Sequence, residues 1–451
     1  GLADLPHVGG ITSRLDTERV NRTIAEVTGL IARRERQFTE WGVDSMAELR
    51  QRRAAGEFAD EPFGDVFLVV DGWSTVRQDF MDLIPVFTLI AARGLNFGVH
   101  LIVASTRWGE ISGGLRDQLG TRFELRLGDP VDSVINMRVA GTVPKVPGRG
   151  LTDSQLHFLT ALPRIDGVGS SADLRTGISS LTKAIAGAWT GPSAPPVRML
   201  PHTLDAASLP APEGDLRVAL GIEEQELSPL WHDFDESPHL IVAGDAETGK
   251  TNLLKLLAKA VMQRYSPGEA RMMLVDYRRE LFDVVPEEYR LGYAVSVDVV
   301  RQIVDGAARA MQTRLPGPEI TPAQLRKRDW WSGPQLFLMI DDYEMVSSPT
   351  GTPFAALLDF LAQGTELGLH IIVVRSTNGL GRAGSDPLLR SLLEVNTPAL
   401  LLSCPPSEGY LFGNVKPRQM PPGRALYITR RRTLQAQTAF LSAEPDDTDQ
   451  P

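Results

Sequence analysis

One octapeptide limits what this chain can fold into more than any other feature. Gly244–Thr251, GDAETGKT, follows a short apolar run, Leu240–Ala243, and opens a segment with helical spacing. In that segment Leu253, Leu254, Leu256, Leu257, Ala260 and Val261 share one face. A strand, a glycine-framed loop and a helix in direct succession make a cradle for phosphate. Gly244 and Gly249 let the backbone curl, so that N–H groups along Asp245, Ala246, Glu247 and Thr248 turn toward β- and γ-phosphate oxygens. The helix start adds the positive end of its dipole. Lys250 supplies a point charge to the phosphates and Thr251 a hydroxyl ligand to Mg²⁺, with Asn252 closing the predicted ATP-binding stretch. A glycine turn that merely caps a helix does not account for a lysine and a hydroxyl in register with both flanking elements. The stretch reads as a nucleoside-triphosphate site, with ATP and Mg²⁺ as the expected ligands.

Further along, Gln335–Asp341, QLFLMID, is an apolar strand ending in a carboxylate. Asp341 is expected to hold Mg²⁺, directly or through water; taken alone, such an aspartate also serves as a turn initiator. In phosphate-loop enzymes with an additional central strand, the next residue is normally a Glu that polarises the attacking water. Here it is Asp342, one methylene shorter. Misplacing a catalytic group by about 1 Å can cost on the order of 100-fold, so tight nucleotide binding with slow hydrolysis is predicted. Glu344 is a candidate substitute base. Ser376 and Thr377 end the neighbouring apolar stretch, where a hydroxyl can sense a γ-phosphate or satisfy strand-end backbone groups. Arg375, Arg382 and Arg390 near that end are candidates for a finger acting on a neighbouring subunit, and the sequence does not choose among them.

Much of this architecture occurs twice. Asp65–Asp71, DVFLVVD, parallels Gln335–Asp341; His100–Arg107 parallels His370–Thr377; Pro147–Leu151, PGRGL, parallels Pro422–Leu426, PGRAL. Asp71 precedes His100 by 29 residues, and Asp341 precedes His370 by 29. The period is too long for a solenoid and indicates two tandem domains. Lys250 precedes Asp341 by 91 residues, so on equal spacing the first copy's lysine falls about 20 residues before Gly1. The chain is therefore expected to be a fragment whose first copy lacks its phosphate loop. That copy's remaining site, Asp71 followed by Gly72 and Trp73, carries no carboxylate after the metal-binding position and is predicted to be degenerate. Trp73 is read as a packing residue.

Expected elements in the first copy are a helix over Glu18–Phe38, buried strands at Asp65–Asp71 and His100–Thr106, a helix at Ile84–Arg93, a strand at Arg122–Leu127 and a turn at Pro147–Leu151. Two helix-like segments are expected within Leu151–Trp189. Domain limits are placed at 1–190 and 201–442, with a linker at 191–200 around GPSAPP and an acidic, disordered tail at 443–451. The single cysteine, Cys404, excludes an internal disulfide and is expected to be a small buried side chain. No apolar run reaches membrane-spanning length and no signal peptide is legible. A net charge of −10 speaks against a surface built to neutralise many phosphates.

In order and in tandem, these motifs resemble the FtsK/SpoIIIE-type ATPases and, among them, the EccC (EssC) ATPases of type VII secretion. GDAETGKT, LFLMIDDYE at Leu336–Glu344, GLHIIVV at Gly368–Val374 and VDYRR at Val275–Arg279 carry the likeness in the second copy; VFLVVDGW at Val66–Trp73 and HLIVASTRW at His100–Trp108 carry it in the first. The resemblance implies an α/β fold of two tandem RecA-like P-loop NTPase domains, each a mainly parallel sheet flanked by helices. It also implies the second and third of three ATPase domains that follow transmembrane helices, at the cytoplasmic face of a membrane. ATP would be bound tightly and hydrolysed poorly. Esx-type substrates would dock through a C-terminal signal on the last domain and drive multimerisation, alongside the other ATPase domains and membrane components. Two other readings stay open: a double-stranded DNA translocase, disfavoured by the charge, and a non-catalytic adaptor that uses ATP to hold its domains together.

Overall fold

The computed structural model describes residues 1–58, 64–347 and 351–442; the predicted tail at 443–451 lies outside the described residues. The chain divides into two compact units, Gly1–Met199 and Leu200–Pro451.

In the first unit a long helix, Thr17–Trp41, starts where the Asp16 carboxylate accepts the Arg19 N–H at 2.9 Å. Its buried stripe, Ile24, Val27, Ile31 and Phe38, recurs at helical spacing. Ile24, Val27 and Ile31 join Trp73, Phe87, Ile90 and Val99 in one core. Strands β1 (Val66–Asp71) and β2 (Val99–Ala104) pair in parallel, and β3 (Phe123–Leu125), β4 (Arg149–Thr152) and β5 (His157–Leu159) form a separate antiparallel sheet. The helix over Ile84–Arg93 lies where the sequence places it.

Three expectations are corrected. Pro147–Leu151 is a turn only at its start, since Arg149 onward is strand β4. Leu151–Trp189 holds one helix, Leu174–Ala188, and not two. The reason is pairing: Leu151 faces His157 across a tight reversal in which Gln155 takes a φ of 60°, which makes a hairpin where a helix was expected. The third concerns β1 and β2, read as buried on both faces. Phe67 and Val69 are 59% and 62% exposed, and Ile102 is 49% exposed. Period-2 alternation hidden in a continuous apolar run leaves one face uncovered among the described residues.

The second unit contains β6 (Arg217–Glu223), β7 (Pro229–Asp233), β8 (His239–Ala243), β9 (Ala270–Val275), β10 (Arg290–Ala294), β11 (Gln335–Ile340), β12 (Leu369–Arg375), β13 (Ala399–Leu401), β14 (Arg424–Ile428) and β15 (Thr433–Thr438). They form one sheet in the order β10-β9-β11-β12-β8-β13-β14-β15-β6-β7, parallel as far as β13 and antiparallel beyond. Cores lie on both faces. On one, Leu253, Leu254 and Leu257 of the helix Lys250–Arg264 bury Phe337, Met339 and Ile372; on the other, Val300, Val304, Phe354 and Leu389 cover Leu338, Ile340 and Val373.

The internal repeat is visible down to side chains. Phe67 faces His100 and Phe337 faces His370 in the same parallel register, with rings stacked at 4.6 Å and 4.4 Å. A buried arginine clamps the same two backbone sites in each unit. Arg34 donates to the carbonyls of Gly64 and Phe97, both at 2.8 Å; Arg314 donates to those of Pro334 and Leu367, both at 2.7 Å. Each clamp ties the residue ahead of one strand to the turn that leads into its neighbour. Sheet β3-β4-β5 corresponds in order and direction to β13-β14-β15, and among the described residues the first unit has no counterpart of β8.

Three histidines are sealed inside the second unit. Burial holds His232 and His370 at about 3 and His239 at about 4, against 6.5 in open solution. The unfolded chain therefore takes up protons near pH 6.5 that the folded unit refuses until about pH 4. Their contribution to stability is complete above 6.5 and is lost as pH falls. The second unit is expected to melt roughly 10 °C lower at pH 5 than at pH 7. Thermal melts followed by circular dichroism test this, and a flat profile over that range would contradict it.

Candidate functional site

The site is built at the carboxyl end of β8, the central strand of the second unit, all five residues of which are buried. The loop it feeds is pinned on both sides: the Gly244 N–H donates to the Arg375 carbonyl on β12 at 3.3 Å, and the Asp245 N–H to the Ser403 carbonyl beyond β13 at 3.0 Å. A Cβ at Gly244 would lie 2.6 Å from Thr248 Oγ1 and 2.8 Å from Leu402 Cβ, so only glycine fits there. Gly249 has a φ of 103°, which turns the loop into the helix Lys250–Arg264. Ala246 and Glu247 stand exposed at the loop's tip, while Thr248 is buried with its hydroxyl on the Asp245 carbonyl at 2.9 Å.

Lys250 is half-buried, and its ammonium donates to the Asp245 carbonyl at 2.6 Å, inside the curl of its own loop. Burial lowers its pKa, and the carboxylates of Glu344, Asp342, Asp341 and Asp245 act against that shift. Thr251 Oγ1 donates to Asp341 Oδ2 at 2.8 Å. Asp341 is 2% exposed, and burial raises its carboxyl to about 6, with the charges of Asp342 and Asp276 adding to the rise. A hydroxyl and a desolvated carboxylate in direct contact are hard oxygen donors of the kind Mg²⁺ takes. Asp276, from the VDYRR stretch, is itself fully engaged, accepting from the N–H groups of Glu280 and Leu281 and from the Tyr293 hydroxyl at 2.8 Å.

The carboxylates after Asp341 diverge. Asp342 adopts a φ of 46°, unusual for a residue with a side chain, and its Oδ2 meets Arg278 Nε at 2.5 Å. Glu344 Oε2 accepts the Ser376 N–H at 3.1 Å and exerts the largest of the carboxylate charges on Lys250. Thr377 Oγ1 donates to Asp245 Oδ1, which ties the end of β12 to the phosphate loop. Asn252 turns away from the loop: its amide donates to the Ala439 carbonyl at 2.8 Å and accepts the Leu441 N–H at 2.9 Å. Of the three arginines, Arg375 is buried on its own strand end, bonded to the carbonyls of Ser376 and Asn378. Arg390 is exposed on the helix Pro387–Glu394, and the side chain of Arg382 lies outside the described residues.

In the first unit Asp71 is exposed at the end of β1, and Gly72 opens the helix Trp73–Asp79. Trp73 is fully buried, its indole N–H on the Glu110 carbonyl at 3.1 Å. Sequence reasoning missed two parts of the second unit's site. One is Arg278. The other is the PGRAL turn, where the Gly423 N–H donates to the Thr248 carbonyl at 2.9 Å. The recurrence of PGR in both copies was the available signal for the turn, and the VDYRR stretch at Val275–Arg279 was the one for Arg278, though it does not show where that side chain goes.

The FtsK/SpoIIIE family model matches residues 1–166 and 201–315. The ESX-1 secretion system protein EccCb1 of Mycolicibacterium smegmatis is 37% identical over 95% of this chain and 74% of its own length. The chain belongs to the FtsK/SpoIIIE family, in its EccC branch. The ESX secretion system protein EccC of Thermomonospora curvata is 49% identical over 98% of this chain, which spans 34% of that protein. The solved structure of T. curvata EccC ATPases 2 and 3 in complex with a signal sequence peptide superposes with a TM-score of 0.92 at 48% identity, covering 98% of this chain and 80% of that one. The α/β fold with its large, mostly parallel sheet is that of RecA-like P-loop proteins, and nucleotide binding is a property of the family. Among the described residues no single helix is long and apolar enough to cross a membrane.

Asn252 bonds two backbone groups that no other named side chain serves. Replacing it with Ala is expected to cost about 1–3 kcal/mol of stability in the second unit, read as a lower midpoint in urea unfolding. An unchanged midpoint would show that the tether contributes nothing.

Proposed function

We propose that the second unit binds ATP with Mg²⁺ and hydrolyses it slowly, and that the chain forms the substrate-reading part of a type VII secretion ATPase. One observation carries the nucleotide reading: Thr251 and Asp341 are joined at the foot of the loop that holds Lys250. Lys250 would exchange the Asp245 carbonyl for phosphate oxygens. Thr251 and Asp341 would hold the Mg²⁺, which supplies neutralisation of phosphate charge. Asp342 is shorter than the usual base, and Arg278 draws its charge aside. Glu344, oriented by the Ser376 N–H, is the better placed carboxylate for a water. Slow turnover follows from that arrangement, and the same salt bridge favours a non-catalytic adaptor as the second reading. Arg278 is itself 68% exposed, so its bridge to Asp342 adds little to stability.

Substrate recognition fits the second unit as well. A cavity of about 430 Å³ has an apolar part at Leu380, Leu393, Leu411 and Ile428 and a polar part at Asn396, Thr397 and Arg430, with the exposed ring of Tyr410 beside them. A recess of that size and mixed lining suits a short peptide signal with apolar anchors and polar backbone ends. Neighbouring ATPase domains, membrane components of the secretion complex and further copies in an active multimer are the other proposed partners, at the cytoplasmic face. The net charge of −10 supports a protein substrate over DNA.

The chain is expected to retain ATP through purification, to lose it as Lys250→Ala or Asp341→Asn, and to gain turnover as Asp342→Glu. Fast wild-type turnover would instead favour a DNA translocase. A C-terminal signal peptide is expected to bind the wild type and to bind Tyr410→Asp at least about 10-fold more weakly; equal binding, measured by fluorescence anisotropy, would place the signal elsewhere.

A further inference from the structure

The residue after the GKT triplet does an uncommon thing. Asn252, in the first turn of the phosphate-loop helix, bonds the backbone of Ala439 with its amide N–H and that of Leu441 with its amide oxygen. Phe440 sits between those two bonds. Its own N–H donates to the Leu204 carbonyl at 2.7 Å, and its carbonyl accepts the Ala206 N–H at 2.9 Å. On the other side, the Thr438 N–H donates to the Gly423 carbonyl at 2.7 Å, and the Gly423 N–H to the Thr248 carbonyl at 2.9 Å. Phe440 is thus tethered to the phosphate loop in both chain directions, through Thr248 and through Asn252.

Along this segment the side chains alternate. Ala439 is buried and Leu441 packs against the core below the phosphate-loop helix, whereas Phe440 is 50% exposed. The half-exposed ring offers a flat apolar face to a ligand. Its backbone is fixed at both hydrogen-bonding groups, so binding at the ring carries no backbone ordering cost. A nucleoside triphosphate with its phosphates in the loop extends past the start of that helix by its α-phosphate and ribose, and its base needs a surface there to rest on. Every base has a π-face, and an aromatic side chain is the usual partner for one.

We propose that Phe440 is the platform on which the base of the bound nucleotide stacks. This rests on the second unit binding ATP. The role of the platform is to hold the face of the base. Truncating Phe440 removes a half-exposed ring and leaves the tethered backbone in place.

The test compares ATP with inorganic tripolyphosphate, both with Mg²⁺, by titration calorimetry on the chain and its variants. Phe440→Ala is expected to weaken ATP roughly 5- to 100-fold and to leave tripolyphosphate unchanged. Phe440→Trp is expected to restore ATP affinity and to add a fluorescence signal, relative to wild type, that ATP quenches and tripolyphosphate does not. ATP binding by Phe440→Ala equal to wild type overturns the proposal, as does an equal loss of both ligands, which would mark a purely structural residue. Lys250→Ala should lose both ligands. A wild type that binds neither would overturn the nucleotide reading itself, and the platform with it.

Discussion

The second unit depends on one buried strand. β8 lies between β12 and β13, parallel to both, with every residue out of water. Removing each Leu, Ile or Val side chain from water is worth about 1.5–3 kcal/mol, and that burial fixes where the strand ends. Because the neighbours then bond Gly244 and Asp245, the loop begins at a defined point and cannot slide. The helix that follows is held to the same sheet by Leu253, Leu254 and Leu257. Phosphate-loop geometry is thus a consequence of sheet packing, and the functional groups are added at the rim.

What differs between the units follows from the same strand. The first unit repeats the stacked Phe–His pair, the arginine clamp and the PGR turn, yet its β1 face shows Phe67 and Val69 to solvent. In the second unit the equivalent Phe337 and Met339 are fully buried beneath the helix Lys250–Arg264. The repeat is therefore a shared frame, and among the described residues the strand, phosphate loop and helix of residues 239–264 are added to it in the second unit. The arginine clamps meet the same physical need in both units. Each satisfies two carbonyls at strand entries, where an unbonded buried carbonyl would be expensive.

Charge around the loop is arranged with opposing effects. Asp341 is pushed up to about 6 by burial, a cost that a divalent cation would relieve. Burial lowers the Lys250 pKa, and four carboxylates, Glu344 first among them, act against that shift. Asp342, the carboxylate at the position where the sequence first looks for a base, is turned toward Arg278, whereas Glu344, the substitute it also offers, is not. Its positive φ reverses the chain just past the strand, so that Tyr343 enters the core and Glu344 reaches Ser376.

The sequence by itself determined the phosphate loop, the strand that ends in Asp341 and the tandem repeat, because each is written in contiguous residues or equal spacing. Glycine, lysine and hydroxyl at fixed offsets have few alternative uses, and apolar runs of strand length have a short menu of neighbours. Local pattern also misled. Leu151–Trp189 carries helical spacing, but Leu151 pairs both with His157 in a hairpin and with Glu124 of β3, which lies outside that window. The direction of Asp342, the commitment of Asn252 to Ala439 and Leu441, and the seating of Gly423 on Thr248 were settled only by tertiary structure. Each joins residues far apart in the chain through a hydrogen bond or ion pair, and the energy of such a bond depends on distance and desolvation that no sequence interval encodes.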